Sequence, residues 1–165
     1  METTIIKDLK KFEEEKVTMK GWLTNKRSGK GLEFLILRDG TGYIQCIVNE
    51  EEVKPEVFEL AKALSQESSI EISGLIVKDE RQVGGYEMQV SNLNLIGEAS
   101  AYPITNKAHG VEFLMDNRHL WLRSKRQWAI MKIRNRLSFA IHSFFQNDGF
   151  VQMDAPLFTG NAVEG

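Results

Sequence analysis

Leu32-Glu-Phe-Leu-Ile-Leu-Arg38, then Asp39-Gly40-Thr41-Gly42, then Tyr43-Ile-Gln-Cys-Ile-Val48, is the stretch that decides the fold. Two apolar runs of strand length are joined by Asp-Gly-Thr-Gly, whose residues tolerate the backbone angles of a tight reversal, so the stretch reads as a β-hairpin. Upstream, Val17–Asn25 is a further strand that ends in the turn-prone basic stretch NKRSGKG. Downstream the period changes. Val57, Leu60, Ala61 and Leu64 fall on one face of a helix over Pro55–Ser65, with Pro55 suited to its first turn. Ser69–Val77 and Tyr86–Ile96 return to strand patterning around the loop Lys78–Gly85. Five strands with one helix between the third and fourth is the order of an OB-fold, so the expected class is mainly β: a five-stranded OB-fold barrel, followed by a long helix and a strand. Other five-stranded barrels share the pattern, and a barrel that binds nothing fits it too.

Gly97–Asn117, with Pro103 and Gly110, reads as a connector. Leu120–Asn147 is a long helix by the spacing of Trp128, Ile130, Met131, Ile133, Leu137, Ala140, Ile141, Phe144 and Phe145. Gly149 is placed to end it, and Phe150–Phe158, containing Pro156, suits an edge strand. A helix and one strand make no core alone, so the expectation is a domain at 1–100, a connector at 101–117 and the opening of a second domain at 118–165.

Composition narrows the class. The 165 residues are 42% hydrophobic and 27% charged, which excludes disordered, collagen-like and disulfide-stapled chains. No apolar run approaches a membrane span, and the charged N-terminus lacks a signal-peptide core. Cys46 is the single cysteine, so no internal disulfide forms and a cytoplasmic location is expected. The net charge of −2 hides a split: residues 1–100 carry 13 basic against 18 acidic groups, and residues 117–147 carry seven basic groups and no acid. Lys20–Arg38 is also locally basic, five against Glu33 alone. Two such surfaces either meet a polyanion or are simply solvated. His109, His119 and His142 are too scattered for a metal site, and Cys46 alternates into the apolar face as a small core residue.

Gly149-Phe-Val-Gln-Met-Asp-Ala-Pro156-Leu-Phe158 resembles motif 1 of the class II aminoacyl-tRNA synthetases. Phe113-Leu-Met-Asp-Asn-Arg-His-Leu-Trp-Leu-Arg123 is similar to the segment entering the catalytic domain in the aspartyl/asparaginyl subclass. Gly21-Trp22, Phe34–Asp39 and Gly42-Tyr-Ile-Gln45 resemble that subclass's anticodon-binding OB domain in order and spacing. The resemblance covers essentially the whole chain. Leu120–Arg123 and Val163-Glu164-Gly165 look more asparaginyl than aspartyl.

The resemblance implies roles for particular residues. Anticodon-binding positions would be Arg27, Phe34, Gln45 and Glu87: Phe34 stacking a base, Gln45 reading a uracil edge, Glu87 near the third base, and Arg27 at the first base or the phosphates. Lys26 and Lys30 beside Arg27 could serve RNA or solvent. Glu164 would receive the ammonium of the bound amino acid. Motif 1 residues Gly149, Phe150, Met153, Pro156, Leu157 and Phe158 would build a homodimer interface. The helix cations from Arg118 to Arg136 divide between tRNA phosphates and solvent.

In full-length form such an enzyme uses ATP and Mg²⁺ to activate L-asparagine and transfers it to tRNA(Asn). Motifs 2 and 3, which handle ATP, do not occur here, so no catalytic residue is assigned and neither ATP nor Mg²⁺ is expected to bind this chain well. An aspartyl enzyme of the subclass and a non-catalytic OB module remain alternatives.

Overall fold

A computed structural model describes residues 2–82, 84–105 and 107–158. It divides into two compact units, residues 1–105 and 106–165. In the first, β1 (Glu2–Thr3) pairs in parallel with β2 (Lys16–Gly29). Then come β3 (Leu32–Arg38), β4 (Tyr43–Asn49), α1 (Pro55–Ala63), β5 (Ser69–Lys78) and β6 (Tyr86–Gly97). The sheet order is β1-β2-β3-β4-β6-β5, and β2 also pairs with β5, so β2 to β6 close into a five-stranded OB-fold barrel. Closure leaves none of these five strands as a free edge.

Alternation fills the barrel. Along β3, Leu35 and Leu37 are fully buried while Phe34, Ile36 and Arg38 are half-buried on the outside. Val17, Met19, Leu23, Cys46, Val48, Ile70, Ile72, Ile76 and Met88 complete the interior, joined by Val57, Phe58 and Ala61 of α1. Burial, with Glu87 nearby, pushes the Cys46 thiol up, which keeps it an inert apolar group. Two glycines are required where strands press together. A Cβ at Gly21 would lie 2.4 Å from the Arg38 carbonyl oxygen, and one at Gly74 2.1 Å from that of Gln89.

The Asp39–Gly42 turn does more than reverse the chain. Asp39 Oδ1 accepts from the Thr41 and Gly42 amides, while Oδ2 accepts from Ile6 N at 2.7 Å and Thr41 Oγ1 accepts from Lys7 N. These bonds clasp a 3-10 helix, Ile6–Phe12, which the sequence pattern does not announce, and it adds Leu9 to the core. At the same end of β3, Arg38, next to Asp39 in the chain, makes a bidentate ion pair with Glu67 at 2.9 and 2.8 Å, with side-chain exposures of 15% and 3%. Glu67 sits in the left-handed region (φ 68°), and its amide donates to the Leu23 carbonyl at 2.6 Å. The ion pair therefore locks the loop before β5 onto β2 and β3.

In the second unit, α2 (Val111–Asp116) lies inside the stretch expected to be a bare connector. The expected single helix from Leu120 is split: a 3-10 turn at Trp121–Arg123 precedes α3 (Lys125–Asn147), with Ser124 extended between them. No residue of α3 is buried. The helix ends as a Schellman motif. Gly149 has φ 85°, Gly149 N donates to Gln146 O, and Phe150 N donates to Phe145 O. The Phe145 and Phe150 rings meet edge to face at 5.4 Å, the apolar contact that accompanies this cap.

The strand expected at Phe150–Phe158 is not formed: these residues have no ladder partner, and extended backbone becomes a strand only when its amides and carbonyls are paired. Among the described residues no helix is long and apolar enough to cross a membrane, and no three His, Cys, Asp or Glu side chains gather as a metal site.

Removing Arg38 strands a buried carboxylate, whereas Lys20–Glu71 is an exposed pair (60% and 32%). Arg38→Ala should therefore cost roughly 3 kcal/mol in urea unfolding, and Lys20→Ala under about 1 kcal/mol. Equal losses in the two variants would contradict the clamp.

Candidate nucleic-acid interface

The register of the barrel lays outward side chains in rungs across four strands. One rung is Arg27 (β2), Phe34 (β3), Ile47 (β4) and Gln89 (β6). The next is Asn25, Ile36, Gln45 and Glu87. The four residues singled out from sequence thus share one outer face, two on each rung. Sequence reasoning missed Asn25, Ile36, Ile47 and Gln89, because which residues lie opposite one another is set by strand pairing, which local patterning does not contain.

A β-bulge makes this face possible. Val17, Met19, Gly21 and Leu23 point inward on β2, and strict alternation would send Asn25 and Arg27 inward as well. Instead Leu23 pairs with Leu37 and Asn25 with Ile36, leaving Thr24 as the extra residue. Its hydroxyl donates to the Ile36 carbonyl at 3.0 Å, which holds the bulge against β3. The phase of β2 is thereby reversed. Arg27 comes to the outside opposite Phe34, its guanidinium 4.6 Å from the ring centre, a cation–π distance.

The same reversal corrects the reading of the basic stretch. Residues to Gly29 are strand, and only Lys30 and Gly31 (φ 69°) form the turn. Lys26 is turned the other way, where its ammonium donates to the Lys62 carbonyl at the end of α1. Cations at a helix C-terminus satisfy its last carbonyls, so Lys26 serves the fold.

The resulting surface has an apolar floor of Phe34, Ile36 and Ile47, all half-buried, and a polar margin of Arg27, Asn25, Gln45, Glu87 and Gln89. Gln45 Nε2 donates to Glu87 Oε2 at 3.4 Å, a long bond between neighbouring strands. It orients the Gln45 amide and leaves the second carboxylate oxygen of Glu87 for another donor. Flat apolar rings with amides and a carboxylate at their edge are what unstacked bases require: a face to stack on and partners for their hydrogen-bonding edges. The loop after β5 that leads to Glu87 is braced by Asp79, whose carboxyl is held down at about 2 by its hydrogen bonds with Arg81.

In the second unit the cations lie over their own aromatic neighbours: Arg118 over Trp121 (5.3 Å), Lys132 over Trp128 (4.1 Å) and Arg136 over Phe139 (5.8 Å). Of the motif 1 residues, Gly149 and Phe150 cap α3, while Met153, Leu157 and Phe158 are 87%, 92% and 96% exposed and Pro156 is exposed with them. Glu164 lies outside the described residues.

Barrel and outer face together define an OB-fold nucleic-acid-binding domain, and residues 17–96 match the family described as "OB-fold nucleic acid binding domain". Residues 110–165 match "tRNA synthetases class II (D, K and N)". Asparaginyl-tRNA synthetase from Pyrococcus horikoshii, solved with asparaginyl-adenylate, is 35% identical, with a TM-score of 0.82 over 94% of this chain and 36% of that one. The enzyme of the same description from Entamoeba histolytica, also with asparaginyl-adenylate, is 27% identical, with a TM-score of 0.76 over 96% and 38%. Aspartyl tRNA synthetase from Entamoeba histolytica, at 20% identity and a TM-score of 0.81 over 94% and 39%, shares the fold. This chain spans about a third of the length of the structures it matches.

Proposed function

We propose that the chain is the tRNA-anticodon-binding portion of an asparagine–tRNA ligase. The observation that carries the reading is the outer face, where Arg27, Phe34, Gln45 and Glu87 occupy adjacent rungs. In this reading the middle base of the anticodon stacks on Phe34, with the Arg27 guanidinium moving onto the base or aside from the ring. Gln45 meets the edge of that base, and Glu87, held by Gln45, accepts from the third base. The asparaginyl choice over the aspartyl one is supported by the higher identity to the asparaginyl enzymes.

The full-length form is proposed to condense asparagine with ATP in the presence of Mg²⁺ and pass the acyl group to tRNA(Asn) in the cytoplasm. This chain's own proposed work is to hold RNA and, through Glu164, the amino end of asparagine. Catalysis of adenylate formation rests on positioning and charge stabilisation, which the groups of motifs 2 and 3 supply.

Pairing of two copies through α3 and the 149–158 segment is also proposed. The exposed Ile130, Ile133, Leu137, Ile141 and Phe144 share one side of α3, an apolar stripe that soluble monomers rarely leave bare, and Leu157 and Phe158 are exposed as well. Light scattering should give twice the monomer mass, and a monomer at all concentrations would contradict the pairing.

Phe34→Ala should weaken binding of a tRNA(Asn) anticodon stem-loop by about 1–3 kcal/mol, the worth of one base–aromatic stack, without unfolding the barrel. A Phe34→Ala variant that binds like the parent would overturn the site. Asparagine-dependent ATP–pyrophosphate exchange should be absent in the 165-residue chain and present in one extended through motifs 2 and 3, where Glu164→Gln raises the KM for asparagine. Exchange by the short chain, or by the extended chain with aspartate alone, would refute this assignment.

A further inference from the structure

The parallel seam between β4 and β6 is short: it holds Gln45–Ile47 against Glu87–Gln89 and no more. Before Gln45 and Glu87 the two strands part, and the clasped 3-10 helix Ile6–Phe12 fills the gap incompletely. What remains is a cleft of about 160 Å³. Its floor is the buried Leu9 and Ile44, its walls include the half-buried Tyr43 and Tyr86, and the exposed Lys7 and Lys10 stand at its rim.

Three features point the cleft toward one ligand. First, its described lining carries two cations and no carboxylate. Lys11 beside them is taken by Asp8 at 2.8 Å, but no hydrogen bond or close ion pair holds the Lys7 or Lys10 ammonium among the described residues. Asp8, which faces Lys7 electrostatically, is already bound to Lys11. Second, the aromatic walls present rings. The Tyr86 hydroxyl donates to Glu13 Oε2 at 3.3 Å, and burial together with Glu13 pushes its phenol up, so the group stays protonated and directed at Glu13. Third, the cleft continues the outer face. Tyr43 precedes Gln45 by one pleat on the same outer side of β4, while Tyr86, on the inward side opposite Glu87, backs the cleft against the core. Small-molecule pockets run to roughly 300–1,000 Å³, so this space suits one residue of a strand.

We propose that the cleft is a further nucleotide subsite. It takes the ribose-phosphate of the RNA residue that flanks the anticodon triplet beyond Glu87, with the phosphodiester between Lys7 and Lys10 and the sugar or base against the rings of Tyr43 and Tyr86. The proposal rests on the outer face being the RNA interface. It extends that interface from three bases to four and gives the N-terminal 3-10 helix a part in binding.

The test uses the full 165-residue chain and fluorescence anisotropy with the anticodon stem-loop. Phosphodiesters on either side of the triplet are replaced one at a time by uncharged methylphosphonates. The Lys7→Ala/Lys10→Ala variant should bind several-fold more weakly, with a log–log salt dependence shallower by about 0.7 for each lost contact. One methylphosphonate should weaken the parent and leave the double variant unaffected. Tyr43→Leu should weaken binding with the salt dependence unchanged.

A double variant with the parent's affinity and salt dependence, or a methylphosphonate effect identical in both proteins, would overturn the subsite. Phe34→Ala measured alongside separates the two failures. If it weakens binding while the lysine variant does not, the cleft alone falls. If Phe34→Ala also binds like the parent, the RNA interface itself is lost.

Discussion

One extra residue in β2 sets the chemistry of this barrel. Leu23 must fill the interior opposite Leu37, and without Thr24 as a bulge the pleat would carry Arg27 to the same side. The bulge reverses the alternation within one step. It delivers Arg27 and Asn25 to the outer face and sends Lys26 to the end of α1. Core packing and the binding face make opposite demands on one strand, and the bulge satisfies both. Bulges recur where a side chain must be re-aimed beside a functional surface.

Rigidity around that face comes from interactions gathered at the C-terminal end of β3. The Arg38–Glu67 pair fixes β3 and the loop before β5, while Asp39 ties the β3–β4 turn to the N-terminal segment. From that end, β3 and β4 pair residue for residue from Arg38–Tyr43 back to Leu32–Asn49. Phe34, Ile36, Gln45 and Ile47 therefore stand on backbone with little freedom to shift. A surface so constrained is organised before its ligand arrives, which reduces the ordering cost of recognition.

Much of this was legible in the residues. Alternation over Leu32–Val48 and the Asp-Gly-Thr-Gly turn gave the hairpin, because strand period and turn chemistry are local properties. Gly149 marked the end of α3 for the same reason: its positive φ belongs to one residue. The bulge, the rungs and the clasp were not legible. Asn25 and Gln89 owe their place to partners more than ten residues away, and Asp39's bond to Ile6 spans 33 residues. The strand expected after Gly149 fails on the same principle, since Val151 and Met153 carry extended-chain character but strand structure needs a second chain segment to pair with. The resemblance named Phe34, Gln45 and Glu87 singly; register brings them onto one surface.

The central claim is that RNA meets the outer face of β2, β3, β4 and β6. Its most direct measurement is backbone amide chemical-shift mapping of the isotope-labelled chain with the anticodon stem-loop of tRNA(Asn). The largest changes should fall on the two rungs, Arg27–Phe34–Ile47–Gln89 and Asn25–Ile36–Gln45–Glu87. The β2–β5 wall, where Thr18 meets Ser73 through a 2.8 Å hydroxyl pair, should stay still. Shifts concentrated on that wall or on α3, with the rungs unmoved, would contradict it.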